Sequence, residues 1–343
     1  YKRQGTCRLM EVIQSNGSAF EQVEYVQMDN APGYELVVGR QLSDQVLRSV
    51  SVYSFSSGSA EQLMMVGYSK FITCDLNDDG CSELMVILPG ESETGTGSAV
   101  LYRMQDGNIE RSVEVNVSED ATHIRRITVG RLLGGTPAVF VASAVNNSAI
   151  VTDVFAWRND RFSNISYSRD SDTSVQTLRN YYVYAEDIDG DGVMELPSLI
   201  TMKRVFPEQE GKQKFLIRWF AMDLEGREMD KFFTFHNYLG GWYMQLASSW
   251  APRVSVDQEG GKYTFYVWDE DYRQALDVFS IYALTGGSRE EDATVDGRFA
   301  FYRAEGVVYA AKLEANAAEF GITENQLINN FHLIQQDWKT GET

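Results

Sequence analysis

The sequence has few cysteines, few prolines and no long hydrophobic run, and each scarcity excludes a class of protein. Three cysteines in 343 residues, Cys7, Cys74 and Cys81, make neither a disulfide framework nor the spacing of a zinc site. Six prolines and no Pro/Ser-rich stretch argue against a mobile linker that divides the chain. No apolar run approaches the ~20 residues of a membrane-spanning helix.

Positive charge is also scarce, because 49 Asp and Glu residues stand against 30 Lys and Arg residues, a formal net charge of −19. Such a surface repels polyanions, so we expect no nucleic-acid partner. Bound cations would offset part of the negative charge. The hydrophobic content of 43% and the aromatic content of 12% are enough for a large folded core.

Histidine is scarce too, and the sequence has no catalytic signature. His123, His236 and His332 are the only histidines, and none accompanies a Gly-x-Ser-x-Gly elbow or a reactive-cysteine motif. No Lys-Ser/Thr pair follows Gly240 and Gly241, so these glycines indicate a turn and not a phosphate-binding loop. We therefore predict no catalytic residues and no organic cofactor.

Two short acidic stretches carry the clearest pattern in the chain. Each places oxygen-bearing side chains at positions 1, 3, 5 and 9 of a nine-residue window, with Gly at position 6: Asp187, Asp189, Asp191, Glu195 and Gly192 in one, and Asp75, Asn77, Asp79, Glu83 and Gly80 in the other. Alternate side chains on such a tight loop converge on one point, as in Ca²⁺ sites. An acidic turn without an ion is the alternative, but repulsion among the carboxylates makes it costly. Zinc is disfavoured because neither set contains a His or Cys side chain in register.

The acidic stretches belong to a longer repeat. Gly130–Ala138 has the same frame without the carboxylates, and the segment that ends at Glu35 is a further eroded copy. The ninth positions, residues 35, 83, 138 and 195, lie 48, 55 and 57 residues apart, close to the ~40–50 residues of a propeller blade. Leu84–Leu88 and Leu196–Ile200, which follow the two acidic loops, are poor helix starts, so strands are favoured over an EF-hand.

Short β-forming segments bounded by Gly, Ser, Asn or Asp fill the intervals, so we predict an all-β fold. The predicted fold is a β-propeller of five to seven four-stranded blades over residues 1–283, with a C-terminal hairpin and helix in residues 284–343. The helix starts at a capping box, Thr323 to Gln326, and an apolar stripe extends it to about Trp338. Residues 2–13 are predicted to form a strand whose partners the sequence does not identify.

The two loops resemble the FG-GAP and VCBS repeats of calcium-bearing propellers such as those of integrin α-chains. This resemblance covers residues 21–283 and implies two structural Ca²⁺ ions. One would be held by Asp187, Asp189, Asp191, the Val193 carbonyl and Glu195, and the other by Asp75, Asn77, Asp79, the Cys81 carbonyl and Glu83. The wider chain is similar to VCBS-repeat lipoproteins of Gram-positive gut bacteria, through Cys74–Leu84 and Trp268–Glu270 among other segments. That similarity implies export and an extracellular protein anchored in the membrane by a lipid upstream of Tyr1.

We expect a cell-surface binding or scaffold module that recognises a glycan or a protein through its loops. The alternative is a secreted polysaccharide lyase or hydrolase. The acidic runs 269–271 and 290–292 contain the carboxylates that such chemistry needs, but solvated acidic loops are the favoured interpretation of both runs. Trp157, Trp219 and Trp242 either stack on sugars or fill space between blades. The sequence does not determine the oligomeric state.

Cys74 and Cys81 flank the first acidic loop, so a disulfide across the base of that loop is one interpretation. Two buried free thiols are favoured, because buried cysteines outside a disulfide framework behave as small apolar side chains.

Overall fold

The computed structural model describes residues 12–14, 19–42, 48–90, 96–119, 121–145, 149–205, 213–249, 251–269, 271 and 273–334. These residues form five antiparallel sheets of four or five strands, which confirms the all-β prediction. The chain divides into two compact units. One contains Tyr1–Leu196 and Ala221–Glu228, and the other contains Pro197–Phe220 and Met229–Glu342.

The first unit contains three four-stranded sheets, and each is built from strands that are consecutive in the chain. The first sheet contains β1 (Ala19–Val26), β2 (Glu35–Gln41), β3 (Arg48–Ser54) and β4 (Glu61–Gly67). The second contains β5 (Lys70–Cys74), β6 (Glu83–Pro89), β7 (Thr96–Gln105) and β8 (Asn108–Val115). The third contains β9 (Ala121–Arg131), β10 (Pro137–Val145), β11 (Ala149–Arg158) and β12 (Arg161–Asn164).

Most of the remaining two sheets lies in the second unit. The fourth sheet has β13 (Glu195–Thr201), β14 (Phe215–Met222), β15 (Glu228–Asn237) and β16 (Trp242–Leu246), with β22 (Phe331–Leu333) beside β16. The fifth has β17 (Val254–Glu259), β18 (Lys262–Asp269), β19 (Gln274–Thr285), β21 (Val307–Leu313) and β20 (Phe299–Ala304) in that order. Two short helices, α1 (Arg289–Asp292) and α2 (Glu324–Asn330), accompany them. None of the described helices has the length and hydrophobicity needed to span a membrane.

The inner strands of the first unit are buried on both faces because its sheets pack face to face. β2, β6 and β10 are buried along almost their whole length, so they read in the sequence as continuous apolar runs. One cluster joins the first two sheets and includes Val37, Val52, Phe71, Leu84 and Val86. A second cluster joins the second and third sheets and includes Met85, Leu101, Val139, Val141 and Phe155. The loop Asp75–Glu83 therefore lies at the start of a buried strand, β6.

Aromatic side chains dominate the core of the second unit. Phe265 stacks on Phe279 with ring centroids 4.3 Å apart, and Phe235 meets Phe265 edge-on at 5.4 Å. Trp242 is fully buried and stacks on Phe331 at 5.5 Å. These contacts pack the fourth sheet against the fifth.

The C-terminal helix is shorter than the apolar stripe predicts. The capping box is present, since the side chains of Thr323 and Gln326 each accept from the other's backbone N–H. The helix ends at Asn330, because Phe331 adopts an extended conformation and starts β22, which pairs with β16. Edge-strand pairing and the stacking of Phe331 on Trp242 override the helical period. Trp338 lies outside the described residues, as does most of the predicted strand 2–13.

The segment Tyr181–Ala185 is rich in β-forming residues, yet it is not a strand in the described structure. Val183, Tyr184 and Ala185 are buried, but only Glu186 makes a bridge, to Glu195. The carbonyl oxygen of Val183 accepts a hydrogen bond from Arg179 Nε at 2.6 Å. A side-chain contact therefore satisfies this carbonyl where a neighbouring strand would otherwise do so.

Candidate metal centre and adjacent cleft

The loop that precedes β13 brings carboxylates together. Asp187, Asp189 and Glu195 each place an oxygen within 4.8 Å of the others. Gly192, with φ of 86°, lets the backbone N–H donate to Asp187 Oδ2 at 2.9 Å. The Val193 N–H donates to Asp191 Oδ1 at 2.9 Å. The frame predicted from the sequence therefore folds as a tight loop, and three of its four acidic side chains converge.

Burial makes this acidic cluster suited to a cation. Glu195 is fully buried, and its Oε2 accepts a hydrogen bond from the Ile188 N–H at 3.2 Å. Asp187 Oδ1 is also buried, and it accepts no hydrogen bond from the described residues. A buried carboxylate oxygen without a donor is costly, and a hard cation would satisfy it. Because Asp187 Oδ1 is buried and accepts no hydrogen bond from the described residues, the loop fits a bound metal ion.

The loop between β5 and β6 repeats the same hydrogen-bond frame. The N–H of Gly80 donates to Asp75 Oδ2 at 2.8 Å, and that of Cys81 donates to Asp79 Oδ1 at 2.8 Å. Glu83 is buried and accepts from the Leu76 N–H at 2.9 Å. Burial raises the pKa of Glu83, while this hydrogen bond and Arg103 oppose the shift.

The first acidic loop differs from the second in its remaining contacts. Asp75 Oδ1 accepts from the Asp79 N–H at 3.1 Å, and Asn77 donates to Asp79 Oδ2 at 2.8 Å. Arg103 Nε lies 3.3 Å from Glu83 Oε1, and its Nη2 lies 3.5 Å from Asp79 Oδ2. Every carboxylate oxygen of Asp75, Asp79 and Glu83 therefore has a partner within the protein. Among the described residues, the convergence of three carboxylates seen at Asp187 does not recur here.

The eroded copy that ends at Glu35 keeps the loop, but hydrogen bonds from the protein satisfy it. Before β2, the Met28 N–H donates to the buried Glu35 at 3.1 Å, and the Ala31 N–H donates to Asp29 at 2.8 Å. The amide of Gln27 donates to backbone carbonyl oxygens in this loop, including that of Ala31 at 2.8 Å. Burial raises the pKa of Glu35. Side-chain and backbone donors thus occupy a loop that has lost most of its acidic positions.

Both cysteines beside the first loop are free thiols, so the disulfide interpretation is not supported. Each is only partly buried, less than the sequence interpretation predicts. Burial, with the charges of Glu83 and Asp75, raises the pKa of Cys74 to about 12. The thiolate is therefore suppressed near neutral pH, which argues against a nucleophilic role.

A cleft of about 770 Å³ lies beside the first acidic loop, within the first unit. Its accessible apolar lining comes from the half-buried Trp157 and Leu224, while Leu76 and Pro137 border the cleft but are buried. Its polar lining includes Asn77, Asp78, Arg103, Ser112, Thr136, Asn159 and Asp160. The guanidinium of Arg103 lies 5.6 Å from the centre of the Trp157 ring. Of the three tryptophans that the sequence offered for sugar stacking, Trp219 and Trp242 are fully buried, whereas Trp157 lines this cleft.

Sequence reasoning missed the polar residues of this cleft, because they come from separate strands and turns. Asn159 and Asp160 have φ values of 50° and 59°, in the turn between β11 and β12. A short Asn-Asp pair between two β-forming runs is the sequence signal of such a turn, but it does not show what the turn faces. Arg103 is an ordinary strand residue in the sequence, and nothing there indicates its contact with Glu83.

The histidines do not form a reactive site in the described structure. Both ring nitrogens of His236 are buried, and its ring stacks on Tyr243 at 4.9 Å. Burial lowers the pKa of His236 to about 3. The ring of His332 also stacks on Tyr243, with ring centroids 4.9 Å apart. Burial lowers the pKa of His332 as well.

His236 gives the second unit a predictable pH dependence. Because its folded pKa of about 3 lies below the ordinary value of 6.5, the unfolded chain gains a proton below pH 6.5 while the folded chain does not. Stability is complete above pH 6.5 and falls as the pH drops towards 3, by about 2 kcal/mol at pH 5 from this group alone. Urea unfolding of His236→Phe, which keeps a ring without a proton site, should show a smaller loss between pH 7.5 and pH 5. Equal slopes for the wild type and the variant would contradict this assignment.

The sequence does not indicate the buried hydrogen-bond network that surrounds Asp153. Asp153 on β11 is fully buried and accepts four hydrogen bonds, from the N–H and Oγ of Ser118, from Asn164 Nδ2 and from Ser174 Oγ. The nearby Thr177 Oγ1 accepts from the Thr152 N–H at 2.8 Å. These contacts attach the irregular segment that follows β12 to the third sheet.

Comparisons with known proteins do not assign a family. A search against family models finds no match, and a search of curated proteins finds none either. Similar solved structures include a rhamnogalacturonan lyase from Bacillus licheniformis (11% identity, TM-score 0.37, 84% of this chain and 66% of that one). They also include the exotype rhamnogalacturonan lyase YesX (11%, 0.35, 78% and 66%) and a mannose phosphorylase from Leishmania mexicana (9%, 0.31, 89% and 87%). The chain thus spans slightly less than two thirds of either lyase, and TM-scores this low establish neither a shared fold nor an activity.

Proposed function

We propose that this chain is a calcium-stabilised β-propeller of five blades that acts as an extracellular binding module. Five antiparallel sheets, most of them simple meanders, are the building units that such a propeller requires. Within each unit the sheets pack face to face through apolar clusters, as neighbouring blades do. The loop Asp75–Glu83 lies between the first and second strands of the second sheet, and the loop Asp187–Glu195 directly precedes β13, the first strand of the fourth sheet.

The Ca²⁺ of this proposal has a structural role. Asp187, Asp189 and Glu195 would hold one ion, with Asp191 and the Val193 carbonyl completing the set. The loop at Asp75–Glu83 would hold the second, through Asp75, Asn77, Asp79, the Cys81 carbonyl and Glu83. A bound Ca²⁺ supplies a charge that ties the loop to the buried start of the following strand. Extracellular sites of this kind work at the high free Ca²⁺ outside cells, which agrees with the proposed export and lipid anchoring.

The cleft beside the first acidic loop is the proposed ligand site, and its lining carries the assignment to saccharides. Trp157 and Leu224, both half-buried, offer apolar surface for the C–H face of a sugar ring. Asn159 and Ser112 offer donors and acceptors for hydroxyl groups. Arg103, the cation among the described lining residues, is already paired with Glu83 and Asp79. A neutral, hydroxyl-rich glycan fits this lining better than an anionic ligand does.

Replacing Trp157 with Ala tests this assignment. We expect the variant to bind the preferred neutral oligosaccharide about ten-fold more weakly, because a large apolar contact is lost. The measurement is a glycan array followed by saturation-transfer NMR with neutral gluco-, xylo-, manno- and galacto-oligosaccharides. Tyr34→Ala is the matched control, since Tyr34 is 63% exposed and lies outside the cleft. No binding of any of these oligosaccharides at millimolar concentration, or equal binding by Trp157→Ala, would contradict the proposal.

The polysaccharide-active enzyme has less support in the cleft. Acid catalysis of glycoside hydrolysis needs a carboxyl group whose pKa is raised. Asp78, which lines the cleft, has its pKa lowered by its hydrogen bonds to Arg131, at 3.0 and 3.2 Å. The same array experiments test this alternative, because cleavage products would show turnover.

A further inference from the structure

We infer that Arg103 is a built-in counter-cation for the loop Asp75–Glu83, so that the two acidic loops are unequal Ca²⁺ sites. The loop Asp187–Glu195 is then the tight site, and the loop Asp75–Glu83 is the weak one. This inference rests on the proposed calcium function, and it adds a residue that the repeat pattern does not contain.

The contacts of Arg103 carry the first step. Its guanidinium reaches the carboxylates at the fifth and ninth positions of the loop, Asp79 at 3.5 Å and Glu83 at 3.3 Å. Both residues belong to the proposed ligand set. A fixed positive charge there repels a second cation and also uses the oxygens that the ion would need.

The second step is the contrast at the first position of each loop. Asp75 Oδ1 accepts from the Asp79 N–H at 3.1 Å, whereas the equivalent Asp187 Oδ1 is buried and accepts no hydrogen bond from the described residues. An ion at the loop Asp187–Glu195 would therefore relieve a buried, unpaired oxygen. An ion at the loop Asp75–Glu83 would have to displace existing hydrogen bonds and an ion pair.

The third step is that other contacts hold Arg103 in place. It lies on β7, and its guanidinium sits over the Trp157 ring at 5.6 Å. A cation–π contact of this kind favours the observed position independently of the carboxylates. Because Arg103 also lines the cleft, its position links the weak site to the proposed ligand site.

The test measures Ca²⁺ binding to the weak loop alone. Asp187→Asn with Asp189→Asn removes the tight site, and isothermal titration with Ca²⁺ then reports the remaining loop. Adding Arg103→Gln to this background should tighten binding about ten-fold or more, because a unit charge beside a divalent ion is removed. Arg103→Lys keeps the charge and should leave binding weak.

Arg131→Gln is the matched control. Arg131 is a neighbouring surface arginine that contacts Asp78, a loop residue outside the proposed ligand set, at 3.0 Å. Removing it deletes the same charge, and we expect a change of less than about three-fold because its guanidinium contacts Asp78 and none of the proposed ligand side chains. Thermal melts of each variant verify that the fold is retained.

Two failures are distinguishable. If the double variant Asp187→Asn/Asp189→Asn keeps the tight binding of the wild type, the proposed calcium function fails at its main site. If the double variant loses that binding but Arg103→Gln does not tighten the remaining loop, or acts no more strongly than Arg131→Gln, only the role of Arg103 is wrong.

Discussion

Replacing Asp153 with Ala is expected to cost about 3–5 kcal/mol of stability, the largest effect of any single change proposed for this chain. Its carboxylate is fully buried and accepts four hydrogen bonds at 2.6 to 2.9 Å. Truncation leaves those donors buried without an acceptor, at about 1–3 kcal/mol for each group that finds no new partner. The measurement is urea unfolding of the wild type and the variant.

Two further variants make the Asp153 result specific. Asp153→Asn keeps one oxygen but points an N–H₂ group at existing donors, so an intermediate loss is expected. Asp170→Ala removes an exposed carboxylate from the same attached segment and should change stability by no more than about 0.5 kcal/mol. A loss below 1 kcal/mol for Asp153→Ala would mean that the network does not hold the segment.

Removing Ca²⁺ is the second large change. If Ca²⁺ is present at about 100 times its dissociation constant, binding to the folded state alone adds about 2.7 kcal/mol. For a chain of 343 residues that corresponds to a drop of roughly 4 °C in the melting temperature on adding EGTA. The measurement is a thermal melt in 1 mM Ca²⁺ compared with one in EGTA.

Variants in the loops show where that stabilisation originates. Asp187→Asn with Asp189→Asn should remove most of the difference between the two melts, leaving only the contribution of the weak site, and Asp191→Ala should reduce the difference. Asp29→Asn lies in the eroded copy before β2, whose loop is filled by protein donors, so it should leave the Ca²⁺ effect intact. A melt that EGTA does not change would contradict the structural role of Ca²⁺.

Local patterns predicted the strands and the loops well. β6 and β10 follow continuous apolar runs that are buried on both faces, and the turn-forming Asp and Gly residues between strands fix the loop positions. The nine-residue spacing also predicted that Asp187, Asp189 and Glu195 converge. These features depend on residues close together in the chain, so the sequence displays them directly.

Features that depend on distant residues were not predictable. The partners of Asp153 lie between 11 and 35 positions away, and in the sequence Asp153 is one polar residue in a β-forming run. The helical stripe through Leu327, Phe331 and Ile334 is genuine as a pattern, yet pairing with β16 turns Phe331–Leu333 into a strand. Arg103 contacts Glu83 from a different strand, and no spacing rule connects the two.

Titrating the Ca²⁺-free protein with Ca²⁺ by isothermal calorimetry tests the central claim most directly. The account predicts saturable binding with a dissociation constant of about 10⁻⁶–10⁻³ M in the wild type. It also predicts that the tighter transition disappears in Asp187→Asn/Asp189→Asn. No binding by the wild type, or the same isotherm from the double variant, would contradict it.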